Sequence, residues 1–255
     1  MNFIDTHCHL YLEDFRNDID NVITRANEQH VNKFFFPAID SSFINSMLAL
    51  EERYKSNCFC MMGLHPCSVK ENYLEELKIV SDWLDKRNFA AIGEIGLDFY
   101  WDKTFITEQY ETFNIQMQWA LNKNLPIVIH TRSAMHETIE TVKPFAAKGL
   151  RGIFHCFSGD PQQAEEITNM GFYLGIGGVI TYKNSGLAEA IKNIPLHKIV
   201  LETDAPYLTP VPFRGKRNES SYIKIIAEKL AVVKSISVEE IAAITTSNAE
   251  KIFGS

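Results

Sequence analysis

The chain has 255 residues, 45% of them apolar, which is enough to bury one large core. Its formal net charge of -7 and a pI near 5.6 argue against non-specific coating of long duplex DNA, so a polyanionic partner needs a local basic patch. Five cysteines without a C-x-x-C pair favour reduced thiols and a cytoplasmic protein, and no apolar run approaches the roughly 18 residues of a membrane span.

Short apolar runs alternate along the chain with longer segments of helical periodicity. The runs predict eight strands, at residues 3–8, 33–39, 58–63, 90–95, 126–130, 152–156, 172–176 and 198–203. The predicted helices span 18–29, 43–55, 74–86, 105–123, 134–147, 161–170, 185–193 and 219–234, and a last helix at 238–252 closes the chain. This alternation is typical of repeated βα units around a parallel sheet.

Eight βα units in about 250 residues match the size of a (β/α)8 barrel, the TIM barrel. A doubly wound open sheet is the alternative, but no G-x-G-x-x-G turn supports it. The sequence contains no Pro/Gly/Ser-rich linker, low-complexity tract or residue-level repeat. We therefore expect a single α/β domain over residues 1–255.

Ionisable side chains stand at the ends of most predicted strands. In a barrel the carboxyl ends of the strands meet at one mouth, and reactive groups collect there. The stretches FIDTHCHL, GEIGLD, PIVIH, GIFH and IVLETD carry the candidates, which are His7, His9, Glu94, His130, His155 and Asp204. Taken singly, each is more often a hydrogen-bonded structural residue. Burying all six at one mouth without a cation would be costly, so their joint placement predicts a metal site.

The size of this ligand set predicts two metal ions. A catalytic zinc usually takes three protein ligands and keeps a position for water, so six ligands are too many for one ion. Glu94, which lies in the middle of the six ligands along the chain, is the expected bridge between the two ions. The set needs no thiolate, which leaves Zn²⁺, Mn²⁺ and Mg²⁺ open, and the imidazoles favour the first two. Two close ions can activate a shared water, which indicates hydrolysis, often of a phosphoester.

Strand alternation also predicts where the neighbouring residues point. On an extended strand His7 and His9 share one face, so Cys8 between them is expected to face the helices as a core residue. We expect the same for Cys156, which follows His155. His30, His136 and His197 fall away from strand ends and are interpreted as surface residues.

Several basic residues near the predicted mouth are candidates for holding a phosphate. Arg214, Lys216 and Arg217 lie just beyond the eighth run, where barrels commonly bind phosphate, although an ordinary solvated loop is the alternative. Arg132, two residues past His130, is expected on the same side as that ligand and suits a bidentate contact. His65, in GLHP, could donate to a phosphoryl oxygen. Aromatic side chains near the same mouth, at 99–101, 182 and 207, could stack on unpaired bases.

The motifs DTHCHL, GLHP, GEIGLDFY, PIVIHTR, HCFSG, ETDAPYL and RGKRNE occur in an order and at spacings that resemble the TatD family of metal-dependent deoxyribonucleases. The resemblance runs from residue 3 to about residue 252. It implies a TIM barrel with a two-metal site that acts on DNA, typically as a 3′–5′ exonuclease on single-stranded ends. The ligand set it implies is His7, His9, Glu94, His130, His155 and Asp204. Asp204 would also take the proton of the attacking water, and Glu94 joins it as a catalytic carboxylate.

Two positions depart from the family pattern. His136 stands where an acidic residue is common, and Ser220 stands where proline is common. Two other functions remain as alternatives. One is a barrel amidohydrolase that acts on a small ester, lactone or amide, and the other is a protein that binds a metal or a nucleic acid without catalysing a reaction. The basic loop favours DNA over a neutral small substrate. No membrane association and no obligate protein partner are expected.

Overall fold

The structure of the protein, a computed structural model, describes residues 1–254. Its strands are β1 (Phe3–Asp5), β2 (Val31–Phe36), β3 (Cys58–Cys60), β4 (Ile92–Asp98), β5 (Ile127–Arg132), β6 (Gly152–Phe154), β7 (Tyr173–Ile176) and β8 (Ile199–Leu201). Its helices are α1 (Ile19–Glu28), α2 (Ile44–Arg53), α3 (Tyr73–Lys86), α4 (Ile106–Lys123), α5 (Met135–Ala146), α6 (Pro161–Asn169), α7 (Leu187–Ile191), α8 (Ile223–Lys234) and α9 (Val238–Phe253).

The strands form one closed parallel barrel. Hydrogen bonding joins β1 to β3 in one segment and β4 to β8 in another, with every pairing parallel and between sequence neighbours. A parallel bridge between Met62 and Ile92 joins the two segments. The Thr6 N–H donates to the Leu201 carbonyl at 3.1 Å and closes the ring between β8 and β1. The (β/α)8 prediction is confirmed, and the open sheet is wrong.

One layer of the core fills the barrel and blocks its lower end. Strand residues including Ile4, Phe35, Val128 and Val200 form a buried cluster separate from the larger core between strands and helices. The last helix joins this inner cluster, where the Phe253 ring stacks on Phe35 with centroids 3.9 Å apart. Because α9 closes the end at which the strands begin, chemistry is confined to the end at which they finish.

Two expectations about strand bounds need correction. β1 ends at Asp5, so His7 and His9 lie in the following loop rather than on a strand face. The chain leaves the sheet there because the Asp5 carboxylate accepts hydrogen bonds from the Thr203 N–H and hydroxyl at 2.9 and 2.6 Å. β4 continues past Glu94 to Asp98, so Glu94 lies inside the strand.

The cysteine and surface-histidine expectations have mixed outcomes. Cys8 is fully buried in the core, as predicted. Cys156 is only half buried, in a turn with a φ of 46°, so its assignment to the core is wrong. His30, His136 and His197 are exposed, as expected. No helix within residues 1–254 is long and apolar enough to cross a membrane.

The short helix α7 depends on a lysine from another helix. Lys234 at the end of α8 donates from Nζ to the carbonyls of Ile191 and Ile194, each at 2.5 Å, and of Lys192 at 3.1 Å. The Ile191 carbonyl ends α7, where carbonyls have no partner inside the helix, and the Lys192 and Ile194 carbonyls follow it along the chain. A charged donor therefore satisfies several acceptors at once.

We expect Lys234→Met to lower the free energy of unfolding by about 1.5–3 kcal/mol, the usual loss for a hydrogen bond to a charged group. Urea unfolding followed by circular dichroism measures this. The exposed Lys251, in the last turn of α9, supplies the matched Lys251→Met control, which should change stability by less than about 0.5 kcal/mol. Equal losses in the two variants would contradict this role of Lys234.

Candidate metal centre

A single buried carboxylate lies at the centre of the barrel mouth. Glu94 is 2% exposed, and its two oxygens face different imidazole pairs. Oε2 lies 3.1 Å from His7 Nε2 and 3.7 Å from His9 Nε2. Oε1 lies 2.9 Å from both His130 Nδ1 and His155 Nε2. One carboxylate thus lies between two pairs of nitrogen donors that come from the ends of different strands.

A second carboxylate completes the cluster on the side that faces solvent. Asp204 Oδ1 lies 3.5 Å from His9 Nε2 and 3.7 Å from His7 Nε2, and the Asp204 side chain is 14% exposed. The residue adopts a left-handed φ of 57°, a strained conformation that often marks functional sites. Its N–H donates to the His7 carbonyl at 2.9 Å, which fixes the turn.

All six predicted ligands therefore meet at one mouth. Together with His65, their donor atoms fall into three overlapping groups whose members lie within 4.8 Å of one another, namely His7, His9 and Glu94; His7, His155 and Asp204; and His65, Glu94 and His130. Imidazole and carboxylate donors at this density suit a divalent cation such as zinc or manganese. The residues present therefore fit a metal-dependent site.

Two of these histidines are each oriented from behind by a hydrogen bond with a further polar group. His9 Nδ1 lies 2.9 Å from the Tyr11 hydroxyl, which itself donates to the Pro37 carbonyl. The hydroxyl oxygen is therefore the acceptor, so Nδ1 carries the proton and Nε2 offers its lone pair to the cluster. His130 Nε2 donates to Asp98 Oδ2 at 2.8 Å. Such partners fix the ring and tautomer of a metal ligand.

Glu202 faces His155 at ion-pair distance, without a hydrogen bond to the ring. It is fully buried, and its Oε1 lies 3.4 Å from His155 Nδ1 and also accepts a hydrogen bond from the Cys156 N–H. A Cβ at position 175 would overlap the other carboxylate oxygen, so only glycine fits beside it. Gly175 thus makes room for the Glu202 side chain beside His155.

Sequence reasoning did not assign Tyr11, Asp98 and Glu202 to the site. Asp98 and Glu202 lie within the quoted motifs GEIGLD and IVLETD, at the strand ends that the barrel rule already marks. Their position at the strand ends is the sequence signal that could have assigned them to the site. Tyr11 carries no such signal, because only folding brings its hydroxyl between His9 and Pro37.

His65 also joins the cluster, but as a hydrogen-bond donor. Its Nδ1 accepts from the Cys67 N–H at 3.0 Å, so the proton lies on Nε2, which is 3.4 Å from Glu94 Oε1. Burial lowers the pKa of His65 below its ordinary value, which favours the neutral ring. A neutral ring with Nε2–H facing the mouth is suited to donate to an oxygen there. The assignment of His65 to a phosphoryl oxygen stays a prediction.

The electrostatics of the cluster keep its carboxylates ionised. Burial opposes ionisation of Glu94, but the surrounding imidazoles, His155 first among them, hold its pKa well below the ordinary value. Asp204 shows the same balance, in which burial is outweighed by His9 and its neighbours and the pKa is lowered. Burial likewise opposes protonation of His155, yet Glu94 and Glu202 raise its pKa. Two anionic carboxylates among imidazoles attract cations.

The predicted basic loop contains residues whose side chains are hydrogen-bonded within the protein and residues whose side chains are exposed. Arg217 pairs with both oxygens of Asp18 at 2.8 and 2.7 Å, and the Asn218 amide donates to the Thr203 and Tyr207 carbonyls. These contacts hold the loop against α1 and the segment that carries Asp204. The Arg217 N–H groups are therefore already used, although the sequence suggests it for phosphate binding.

Three of the predicted phosphate-binding residues remain exposed. Arg214 lies over the Tyr182 ring, with its guanidinium carbon 4.3 Å from the centroid. Lys216 is exposed on the same loop, and Arg132 is exposed at the end of β5. Their role in binding phosphate stays a prediction.

Two relatives of this chain are described as metal-dependent hydrolases. The chain is 40% identical over 250 residues to YabD of Bacillus subtilis, which is named as an uncharacterized metal-dependent hydrolase, and the match covers 98% of each chain. It is 32% identical over 260 residues to YcfH of Escherichia coli, which has the same description, with 99% of this chain and 96% of YcfH covered. The fold, the site and these relatives define the chain as a metal-dependent hydrolase on a (β/α)8 barrel.

The family follows from two further similarities. The crystal structure of YJJV, a TatD homologue from Escherichia coli K12, matches with a TM-score of 0.93 and 30% identity over 99% of this chain and 98% of that one. The family model described as TatD related DNase matches residues 4–254. The chain therefore belongs to the TatD family, as the sequence motifs predict.

We expect Glu202→Gln to weaken divalent-metal affinity by about 10- to 100-fold, because the amide no longer fixes His155 as a charged acceptor does. Competition with a chromophoric zinc chelator measures the affinity. The matched control is Glu189→Gln, whose side chain is 79% exposed on α7. Affinities of the two variants within a factor of two would contradict a role for Glu202 behind the metal ligands.

The Asp18–Arg217 pair predicts a pH dependence of stability. The hydrogen bond from Arg217 lowers the pKa of Asp18 in the folded protein below its ordinary value of 3.8. The stabilisation is therefore present above the ordinary pKa and is lost as the pH falls through the lower pKa of the folded protein. Asp18→Asn should cost up to about 1 kcal/mol at pH 7, and less near pH 3. Urea unfolding at both pH values tests this, with exposed Asp14→Asn as control. A pH-independent difference would refute it.

Proposed function

We propose that the protein is a two-metal deoxyribonuclease that hydrolyses phosphodiester bonds of DNA, as a 3′–5′ exonuclease on single-stranded ends. The observation that carries the proposal is the division of the Glu94 carboxylate, whose Oε2 faces His7 and His9 while Oε1 faces His130 and His155. A carboxylate between two sets of donors suits a bridge between two cations. The TatD related DNase family description supports DNA as the substrate.

The residues of the mouth have distinct roles in this hydrolysis. Two bound divalent cations would supply an activated water and stabilise the negative charge that develops on the leaving oxygen. Zn²⁺ and Mn²⁺ suit the imidazole-rich donor set better than Mg²⁺. Asp204, ionised and open to solvent on one side, accepts the proton of the attacking water at its carboxylate. His65 donates a hydrogen bond from its Nε2–H to a phosphoryl oxygen.

The charge distribution suits a phosphate chain. The protein as a whole carries a net charge of -7, which disfavours non-specific binding to nucleic acid. Arg132, Arg214 and Lys216 are nevertheless exposed around the mouth, where they can hold phosphates next to the one that reacts. A neutral ester, lactone or amide would gain nothing from them.

The depth of the site favours a single strand. His7 and Glu94 are at most 2% exposed, so the scissile phosphate has to enter the mouth rather than rest on its rim. A flexible single-stranded end can enter in this way more easily than a stiff duplex.

All five cysteines are free thiols, which is consistent with action in the reducing cytoplasm.

Asp204→Asn tests the role of the proton acceptor. We expect it to lower cleavage of end-labelled single-stranded DNA by at least about 100-fold, since a general base typically contributes that much. The assay is run with added Mg²⁺, Mn²⁺ and Zn²⁺ in turn, and labels at either end reveal the polarity of cutting. Asp85→Asn, at a carboxylate 72% exposed near the end of α3, is the control and should retain full activity.

The assay can refute the proposal in two ways. Unchanged turnover in a correctly folded Asp204→Asn protein would remove the mechanism, with circular dichroism reporting the fold. Hydrolysis of a neutral ester by the unaltered protein, with no DNA cleavage at any metal loading, would instead favour the amidohydrolase alternative.

A further inference from the structure

Two large aromatic side chains lie exposed beside the metal centre. Tyr100 and Trp101 lie two and three residues past the end of β4 and are 56% and 67% exposed. Their ring centroids are 4.9 Å apart, and the rings meet edge to face. Exposed aromatic surface of this size is unfavourable in water and commonly marks a binding site.

A basic side chain packs on both rings. The guanidinium carbon of Arg132, at the end of β5, lies 4.0 Å from the Tyr100 centroid and 5.0 Å from the Trp101 centroid. Within residues 1–254 no carboxylate lies within ion-pair distance of this guanidinium. Arg132 is therefore held in place by its planar face while its N–H groups remain available for a phosphate.

Asp98 connects these rings to the metal centre. Its Oδ1 accepts hydrogen bonds from the N–H groups of Tyr100 and Trp101 at 2.9 and 3.1 Å. Its Oδ2 accepts from His130 Nε2 at 2.8 Å. One carboxylate thus fixes both the aromatic turn and a predicted metal ligand, so the distance between the rings and the reacting phosphate is set by the fold.

The rest of the aromatic loop is also held rigidly. The Phe99 N–H donates to the Arg132 carbonyl at 2.9 Å, and the Asp102 carboxylate pairs with Lys70 Nζ at 2.6 Å. Rings that are already fixed lose little conformational freedom when a ligand stacks on them. The exposed pair therefore needs little ordering when a ligand binds.

We propose that Tyr100, Trp101 and Arg132 form a nucleobase platform, on which an unpaired base of single-stranded DNA stacks next to the nucleotide whose phosphodiester is cleaved. The platform rests on the proposed function and deepens it by locating where the strand is recognised. Every base has a π-face, so stacking on these rings is tolerant of sequence. The face of a base in a duplex is covered by its neighbours, so the platform selects single strands.

The test measures binding in metal-free protein, so that the result does not depend on cleavage. In EDTA, a 5′-fluorescein oligothymidylate is titrated with protein and followed by anisotropy, next to an oligomer of equal length made of abasic nucleotides. The unaltered protein should bind the thymidylate more tightly. Trp101→Ala should weaken thymidylate binding by about 5- to 150-fold, the usual range for one stacked base, and remove the preference over the abasic strand.

A matched aromatic control lies on the outer helices. Trp83 on α3 also packs against a cation, with Lys86 Nζ 5.1 Å from its ring centroid, but the end of α3 lies away from the barrel mouth. Trp83→Ala should leave oligonucleotide affinity unchanged.

Trp101→Phe keeps a flat ring and should retain most of the affinity. In a Trp83→Phe, Trp119→Phe protein, the fluorescence of the remaining Trp101 should be quenched by the thymidylate and not by the abasic strand.

The possible results separate the platform from the nuclease. Equal affinity of Trp101→Ala and Trp83→Ala, equal binding of the two oligomers, or no detectable binding by the unaltered protein would each overturn the platform, even if DNA is cleaved. Trp101-dependent binding without DNA cleavage at any metal loading would refute the nuclease assignment and leave the base-binding surface in place.

Discussion

The Glu94 carboxylate between four imidazoles is the interaction on which the rest of the site depends. A carboxylate that is 2% exposed is costly to bury unless positive groups or cations surround it. Here the compensation comes from His7 and His9 on one side and from His130 and His155 on the other. These residues come from the ends of different strands, so the barrel has to close before Glu94 is stabilised.

Polar groups behind the histidines connect this centre to the surrounding fold. Asp98 holds His130 with one oxygen and the exposed aromatic turn with the other. Glu202 faces His155 and also accepts from the Cys156 N–H, in a space that only a glycine at position 175 leaves open. Each carboxylate therefore connects a histidine of the cluster to a neighbouring loop, so a displacement of either loop would also move that histidine.

The loop beyond β8 shows how one short basic motif serves two purposes. Arg217 and Asn218 are used inside the protein, on Asp18 and on the carbonyls around Asp204. Arg214 and Lys216 remain exposed. The inner residues fix the position of the loop, so that the outer charges stand at the mouth. Local positive charge is thus retained in a protein whose net charge is -7.

The sequence by itself determined the eight βα units, the six candidate ligands and the family, because apolar periodicity and strand-end motifs are local properties of the chain. Element bounds also depend on tertiary contacts, since β1 stops at Asp5 because of a contact with Thr203 across the closing seam. Only the tertiary structure decided that Tyr11, Asp98 and Glu202 stand behind the histidines, that Arg217 is used by Asp18, and that Arg132 packs on Tyr100 and Trp101. Such pairings join residues distant in the chain, and their geometry exists only once the barrel is closed.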